Sequence, residues 1–226
     1  MKPATIICLV AQALAVAATV TTGNAEYDDE PSCVKISSLT YDGTGCYPGT
    51  IKHTMEDPSS FTLIHQNISV AIGPAILLKE NRRNCRFNVQ FAHYYGYQFY
   101  VHGTQTKANY KLDENITATW RHGYYFSGQT SQIKTSNELK GPMDKDFSYY
   151  TRTLEEPLWS ACGHASPLNI ISQLGLTSTD NLSNGTVANH SHFGNISFSV
   201  HIRWKRCTTP SSSARETDIC PAFHAV

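Results

Sequence analysis

Charge is scarce in this chain. Charged side chains make up 16% of it, against ~25% in ordinary soluble domains. The 18 basic and 18 acidic residues cancel. A neutral chain carries no electrostatic footprint for nucleic acid or for an anionic membrane surface. Long apolar runs are missing beyond the N-terminus. Ile202 and Trp204 alternate with polar residues and are followed by Lys205 and Arg206, so no such stretch approaches the ~20 residues of a bilayer span. The last residues are too short and polar for a lipid-anchor tail. Membrane insertion is therefore not expected. No Cys-x-x-Cys pair occurs, which argues against zinc-finger-like ligation. A Gly-x-Ser-x-Gly elbow and a glycine-rich phosphate loop are absent as well, removing the usual serine-hydrolase and nucleotide signatures. No metal and no cofactor is expected.

The N-terminus is what the rest is not. Lys2 precedes an almost wholly apolar stretch from Ile6 to Val20, and Gly23 and Ala25 are small residues just ahead of the acidic run Glu26–Glu30. This is the layout of a secretory signal peptide, with cleavage after Ala25, so residues 1–25 are expected to leave. About 200 residues then remain, enough for one domain with a real core. Six cysteines stay with the mature chain: Cys33, Cys46, Cys85, Cys162, Cys207 and Cys220. An even set in a secreted chain reads as a disulfide framework, for which 15 pairings exist. Six Asn-x-Ser/Thr sites, at Asn67, Asn115, Asn181, Asn184, Asn189 and Asn195, predict N-glycosylation. Four of them fall between Asn181 and Asn195, and bulky hydrated glycans predict a surface loop there.

Strict alternation of apolar and polar residues marks strands with one buried face. It recurs at Phe61–His65, Cys85–Phe91, Tyr97–Val101 and Ile196–Trp204. Turn residues such as Asp42-Gly43, Pro48-Gly49, Gly96 and Gly141-Pro142 punctuate the runs, as expected of a sandwich or barrel. The two runs on either side of Gly96 read as a hairpin. Pro167–Leu176 fits a short helix or a strand equally well. The predicted fold is all-β: a single disulfide-stapled antiparallel β-sandwich over residues 26–207 with at most one short helix. Residues 208–226 are a Ser/Thr-rich arm tied back by Cys220.

Candidate chemistry is thin. His190 and His192 form a His-x-His pair that strands could present to a metal, though it lies among the sequons. His93, His102 and His122 could act only if the fold gathers them. Glycoside hydrolysis needs two carboxylates flanking one bond. Glu56-Asp57, Asp113-Glu114, Asp144/Asp146 and Glu155-Glu156 are mostly turn acids, and adjacent residues on a strand point to opposite faces. No catalytic residue is assigned. Aromatics are better motivated: Tyr94, Tyr95, Tyr97, Phe99 and Tyr100 crowd one segment, and Tyr124, Tyr125, Phe126, Tyr149 and Tyr150 crowd two others. Those facing outward could stack on sugar rings or anchor a protein, while those facing inward would build a tyrosine-rich core. Tyr95, Tyr97 and Tyr125 are the ligand-binding candidates.

The pieces in their order resemble a known family. They are Val34-Lys-Ile-Ser-Ser-Leu-Thr-Tyr41, Asp42-Gly-Thr-Gly-Cys46-Tyr-Pro-Gly-Thr50, Asn81-Arg-Arg-Asn-Cys85, Tyr124-Tyr-Phe-Ser-Gly128, Lys140-Gly-Pro142, Trp159-Ser-Ala-Cys-Gly163 and Arg203-Trp-Lys-Arg-Cys207. Together they resemble the domain-of-unknown-function family numbered 4360, secreted proteins of fungi and some bacteria. The resemblance implies a four-cysteine core matching Cys46, Cys85, Cys162 and Cys207. It implies Cys46–Cys85 and Cys162–Cys207 bridges, and leaves Cys33 and Cys220 to clamp the termini together. It implies no activity. The expected protein is a non-catalytic secreted glycoprotein, extracellular or associated with the cell wall, that binds cell-wall polysaccharide or an extracellular protein. The alternatives are a secreted glycan-active hydrolase, or an effector or antigen that binds a host protein.

Overall fold

The computed structural model describes residues 30–93, 96–162, 166–189 and 194–207. The expected signal segment, Tyr94, Tyr95, His190, His192 and the expected arm with Cys220 lie outside the described residues. Twelve strands are present: β1 Val34–Asp42, β2 Ile51–Asp57, β3 Ser60–His65, β4 Val70–Ile72, β5 Arg82–His93, β6 Tyr97–Leu112, β7 Ile116–Phe126, β8 Ile133–Lys140, β9 Met143–Arg152, β10 Leu168–Ser178, β11 Gly185–Ala188 and β12 Ile196–Arg206. Among the described residues the one helical element is a 3-10 turn, Leu78–Glu80. No helix among them is long and apolar enough to cross a membrane.

Two antiparallel sheets pack face to face. One has the order β1-β5-β10-β7-β8; the other runs β2-β3-β12-β6-β11-β4, with β9 paired to the free side of β6. Alternation explains the packing. Phe87, Val89 and Phe91 of β5 point inward, as do Phe198, Val200, Ile202 and Trp204 of β12, and all are nearly inaccessible. Their rings interlock edge to face, with Phe91 5.1 Å from Phe99 and 5.4 Å from Phe61, the geometry aromatic quadrupoles favour.

The interior is two apolar clusters rather than one. Where they meet, the inward positions turn polar: Thr104 and Thr106 on β6, His122 on β7, Ser172 on β10 and His65 at the end of β3 are all buried. The His122 ring stacks on Phe198 at 4.3 Å. Neither of its nitrogens has a hydrogen-bond partner.

Two bridges lie among the described residues. Cys46–Cys85 ties the loop after β1 to β5 (Cα–Cα 5.6 Å), and Cys162–Cys207 ties the segment after β9 to the end of β12 (Cα–Cα 6.0 Å). Cys33 is disulfide-bonded too.

Three expectations are corrected or resolved. The segments flanking Gly96 are not a hairpin: β5 belongs to the five-stranded sheet and β6 to the seven-stranded one. Alternation is blind to this difference, because Phe91 and Phe99 point into the core whether their strands pair or face each other. Pro167–Leu176 resolves to strand, as β10 between β5 and β7. Its Leu168, Ile170, Leu174 and Leu176 face the core at strand spacing. The Asn181–Asn195 stretch is not simply a surface loop, because it contains β11. Gly185 and Val187 are buried there, and β11 ends opposite Asn109 while β12 starts along the same edge of β6 at Lys107.

Candidate functional site: the outer face of the five-stranded sheet

The inward half of each strand is spent on the core, so the outward half is what a ligand can meet. On the five-stranded sheet the register lines up those outward residues in rows. Thr40 stands beside Asn88, Asn88 beside Asn169, and Asn169 beside Tyr125. One step along, Asp42, Arg86, Ile171, Gly123 and Lys134 form the next row. The third row runs from Asn84 through Gln173 and Arg121 to Ser136.

These rows form two adjoining shallow grooves of about 340 and 520 Å³ that share Ile171. Gly123 makes the depression. A Cβ there would come within 2.3 Å of Gln132 Nε2, so only the missing side chain lets Gln132 lie across the strand. Amides line the rest. Asn88 Nδ2 donates to Asn169 Oδ1 at 2.8 Å, Asn169 Nδ2 donates to Ser127 Oγ at 3.0 Å, and Arg82 donates to Gln173 Oε1 at 2.9 Å. An amide so held still offers its other donor or acceptor positions at a known angle. Half-buried Tyr125 closes the row, with its ring on the same face. Planar polar groups around an aromatic and an apolar floor match the polyhydroxylated, C–H-faced chemistry of a sugar.

The tyrosine candidates separate. Tyr125 lies on this face. Tyr97 packs against the core at the start of β6, with the Arg206 guanidinium 5.6 Å over its ring. Tyr95 is outside the described residues. Tyr100, Tyr110 and Tyr124 are buried, so much of the tyrosine content builds the interior. Burial pushes the Tyr110 and Tyr124 hydroxyls well above the ordinary phenol value, against the smaller pull of their hydrogen bonds.

The histidines are not gathered. His93 packs on Trp204 at 5.0 Å. His122 is in the core, where burial, with a smaller contribution from His65, pulls it down to about 3. His102 stands on the outer face of the other sheet, 6.4 Å from Tyr150. Among the described residues no three His, Cys, Asp or Glu side chains are grouped as a metal site.

The paired carboxylates act locally. Asp57 accepts from Ser59 and Ser60. Burial pulls its acidity one way, and those bonds outweigh it, holding the carboxyl below its ordinary value. Asp113 accepts the Asn184 backbone N–H, and Asp146 accepts from Asn109. Asp180, outside the predicted pairs, is held at about 2 by the backbone N–H groups of Ser183 and Leu182 and by side-chain bonds. Asp57 and Asp180 thus move in the direction opposite to a general acid.

Asn67, Asn115, Asn181 and Asn184 are exposed, and Asn189 and Asn195 are half-buried. Asn115 Nδ2 bonds Asp180, and the Asn184 N–H bonds Asp113. Asn115, Asn181 and Asn184 thus cluster around the β6–β7 turn, away from Tyr125. Sequence reasoning passed over Arg86, Asn88, Asn169, Arg121 and Gln173. Their signal was present, since they fill the polar half of alternating runs, but it is shared by every solvated strand face.

A family described as "Domain of unknown function (DUF4360)" matches residues 32–207. The chain belongs to this family. A curated relative from Arthroderma benhamiae, named "Uncharacterized secreted protein", is 39% identical over 181 residues, covering 79% of this chain and 74% of its own length. With the disulfides, it marks this family member as a secreted protein. Among solved structures, TmCBM61 in complex with β-1,4-galactotriose aligns at 6% identity over 76% of this chain and 91% of its own, with a TM-score of 0.26. A black queen cell virus chain aligns at 11% identity over 95% of this chain and 90% of its own, with a TM-score of 0.23.

Proposed function

We propose that this family member is a non-catalytic secreted glycoprotein that binds cell-wall polysaccharide through the outer face of the five-stranded sheet. The observation that carries the reading is the groove itself: Tyr125, the Asn88–Asn169 amide pair and the Gly123 depression share one face. A sugar ring lies with its C–H face on Tyr125 while its hydroxyls meet amides and guanidinium groups whose geometry is already set. Glycans on Asn67, Asn115, Asn181, Asn184, Asn189 and Asn195, cleavage after Ala25, a Cys33–Cys220 clamp and a Ser/Thr-rich arm over residues 208–226 tied back by Cys220 belong to the same reading.

The test is a pull-down of glycosylated protein on insoluble chitin, β-glucan, cellulose and mannan, with reducing ends assayed in the same tubes. Retention on at least one polymer without sugar release is expected, weakened about tenfold by Tyr125→Ala, the equivalent of ~1.4 kcal/mol. Release of reducing ends would replace the reading with a hydrolase. Absence of retention on all four would leave an extracellular protein as the partner to seek.

A further inference from the structure

The opposite outer face, on the seven-stranded sheet, has a different chemistry. β12 turns His201, Arg203 and Lys205 outward between its buried residues. β6 and β9 bring His102, Tyr150 and Arg152 beside them. The register sets His201 opposite Gly103, Gly103 opposite Arg152, and Arg203 opposite Tyr100. Tyr150 is 47% exposed and lies across Gly103, where a Cβ would fall 2.2 Å from the Tyr150 hydroxyl oxygen. Its ring is 5.4 Å from that of His201 and 6.4 Å from that of His102.

Positive charge collects here. Arg152 and Arg203 are exposed and have no ion-pair partner among the described residues, where the one salt bridge is Arg83–Glu80 on the other sheet. Both guanidinium groups act on His102. Lys205 Nζ stands 3.9 Å over the Trp159 ring, extending the patch. The carboxylate that faces it is Asp57 on β2, which acts on His201 and is already occupied by Ser59 and Ser60. In a chain of zero net charge, such a concentration is a local field maximum for an anion. Guanidinium forks match carboxylates in shape as well as sign, and the exposed Tyr150 ring among them offers a stacking surface for a sugar.

We propose that this second face binds an acidic polysaccharide, taking uronate carboxylates on Arg152 and Arg203 and packing a sugar ring on Tyr150. The site is separate from the neutral-sugar groove and does not depend on it. Protonation strengthens it. His102 and His201 both titrate below the ordinary histidine value, chiefly through burial; Arg203 and Arg152 add to the shift at His102, while Asp57 opposes it at His201. Each therefore gains its charge as the pH falls below ~6.5. Uronates, with acidity like an α-carboxyl group at ~3.5, stay ionised in that range.

The test is affinity electrophoresis through gels containing polygalacturonate, its carboxyl-reduced neutral counterpart, or dextran sulfate, with intact glycosylated protein. Retardation by polygalacturonate is expected, at least fivefold stronger at pH 5 than at pH 7. It should fall at least tenfold in Arg152→Gln/Arg203→Gln, fall severalfold in Tyr150→Ala, and stay unchanged in Tyr125→Ala. All these positions are exposed or half-buried, and circular dichroism verifies folding. Equal retardation by the neutral polymer, no retardation of folded wild type, or full retention in the double variant would overturn the proposal. Equal retardation by dextran sulfate would overturn the uronate assignment. Loss in Tyr125→Ala with none in Tyr150→Ala would move binding to the other face and overturn this one alone.

Discussion

Acid should loosen this protein well before its carboxylates titrate, because two neutral imidazoles are sealed in the polar seam between its apolar clusters. Burial holds His65 at about 4 against an opposing hydrogen bond from its Nδ1 to the Gly45 carbonyl, and holds His122 at about 3. In the unfolded chain both rings return to ~6.5. Between pH 6.5 and pH 4 the unfolded state therefore binds protons that the folded state refuses, and stability falls as pH falls. Integrating the linkage relation from pH 7 to pH 5 costs about 2 kcal/mol for each ring, about 4 kcal/mol together. His102 and His201 push the same way but are partly solvated, so their share is small. A loss of 4 kcal/mol is a large part of the 5–15 kcal/mol typical of a folded domain. With a guanidinium slope of ~4 kcal/mol/M it moves the unfolding midpoint by ~1 M. The assay is guanidinium unfolding followed by tryptophan fluorescence at both pH values, disulfides intact, for wild type and His122→Phe. The phenyl ring keeps the stack on Phe198 and removes two buried nitrogens that lack partners. The variant should be more stable at pH 5 and lose roughly half as much between pH 7 and pH 5. An unchanged wild-type midpoint, or a variant as acid-sensitive as wild type, would refute the reasoning.

Two further outcomes follow from the same geometry. Replacing Cys46 and Cys85 together by serine reopens a loop whose ends are 39 residues apart and should cost ~4 kcal/mol on the chain-entropy estimate, read as a lower denaturant midpoint. Gly123→Trp should fill the groove beside Ile171 and abolish polysaccharide retention. Its Cβ displaces only the far end of the Gln132 side chain, so the melting temperature should move by no more than a few degrees.

Local chemistry made much of the fold legible. Alternation at Cys85–Phe91 and at Ile196–Trp204 identified strands and their buried sides, since a period of two is a property of the extended backbone alone. The hairpin reading around Gly96 failed for the same reason. Alternation states which face is buried, not which strand is the neighbour. Pro167–Leu176 was ambiguous because Leu168, Ile171 and Leu174 mimic a helical stripe, and pairing to β5 and β7 on both sides overrode it. Of the candidate site, Tyr125 was visible as an aromatic on a strand. Asn88 and Asn169, 81 residues apart, had no sequence pattern to join them.

The sequence by itself determined secretion, an even cysteine framework, an all-β architecture and family membership, because apolar periodicity, cysteine count and ordered short motifs are written along the chain. The tertiary structure decided which sheet each strand enters, that β11 runs through the sequon cluster, that His65 and His122 are sealed inside while His102 and His201 are not, and that one outer face is an amide-lined groove and the other a cationic one. Those outcomes rest on contacts between segments tens of residues apart, where strand register rather than sequence neighbourhood chooses which side chains meet.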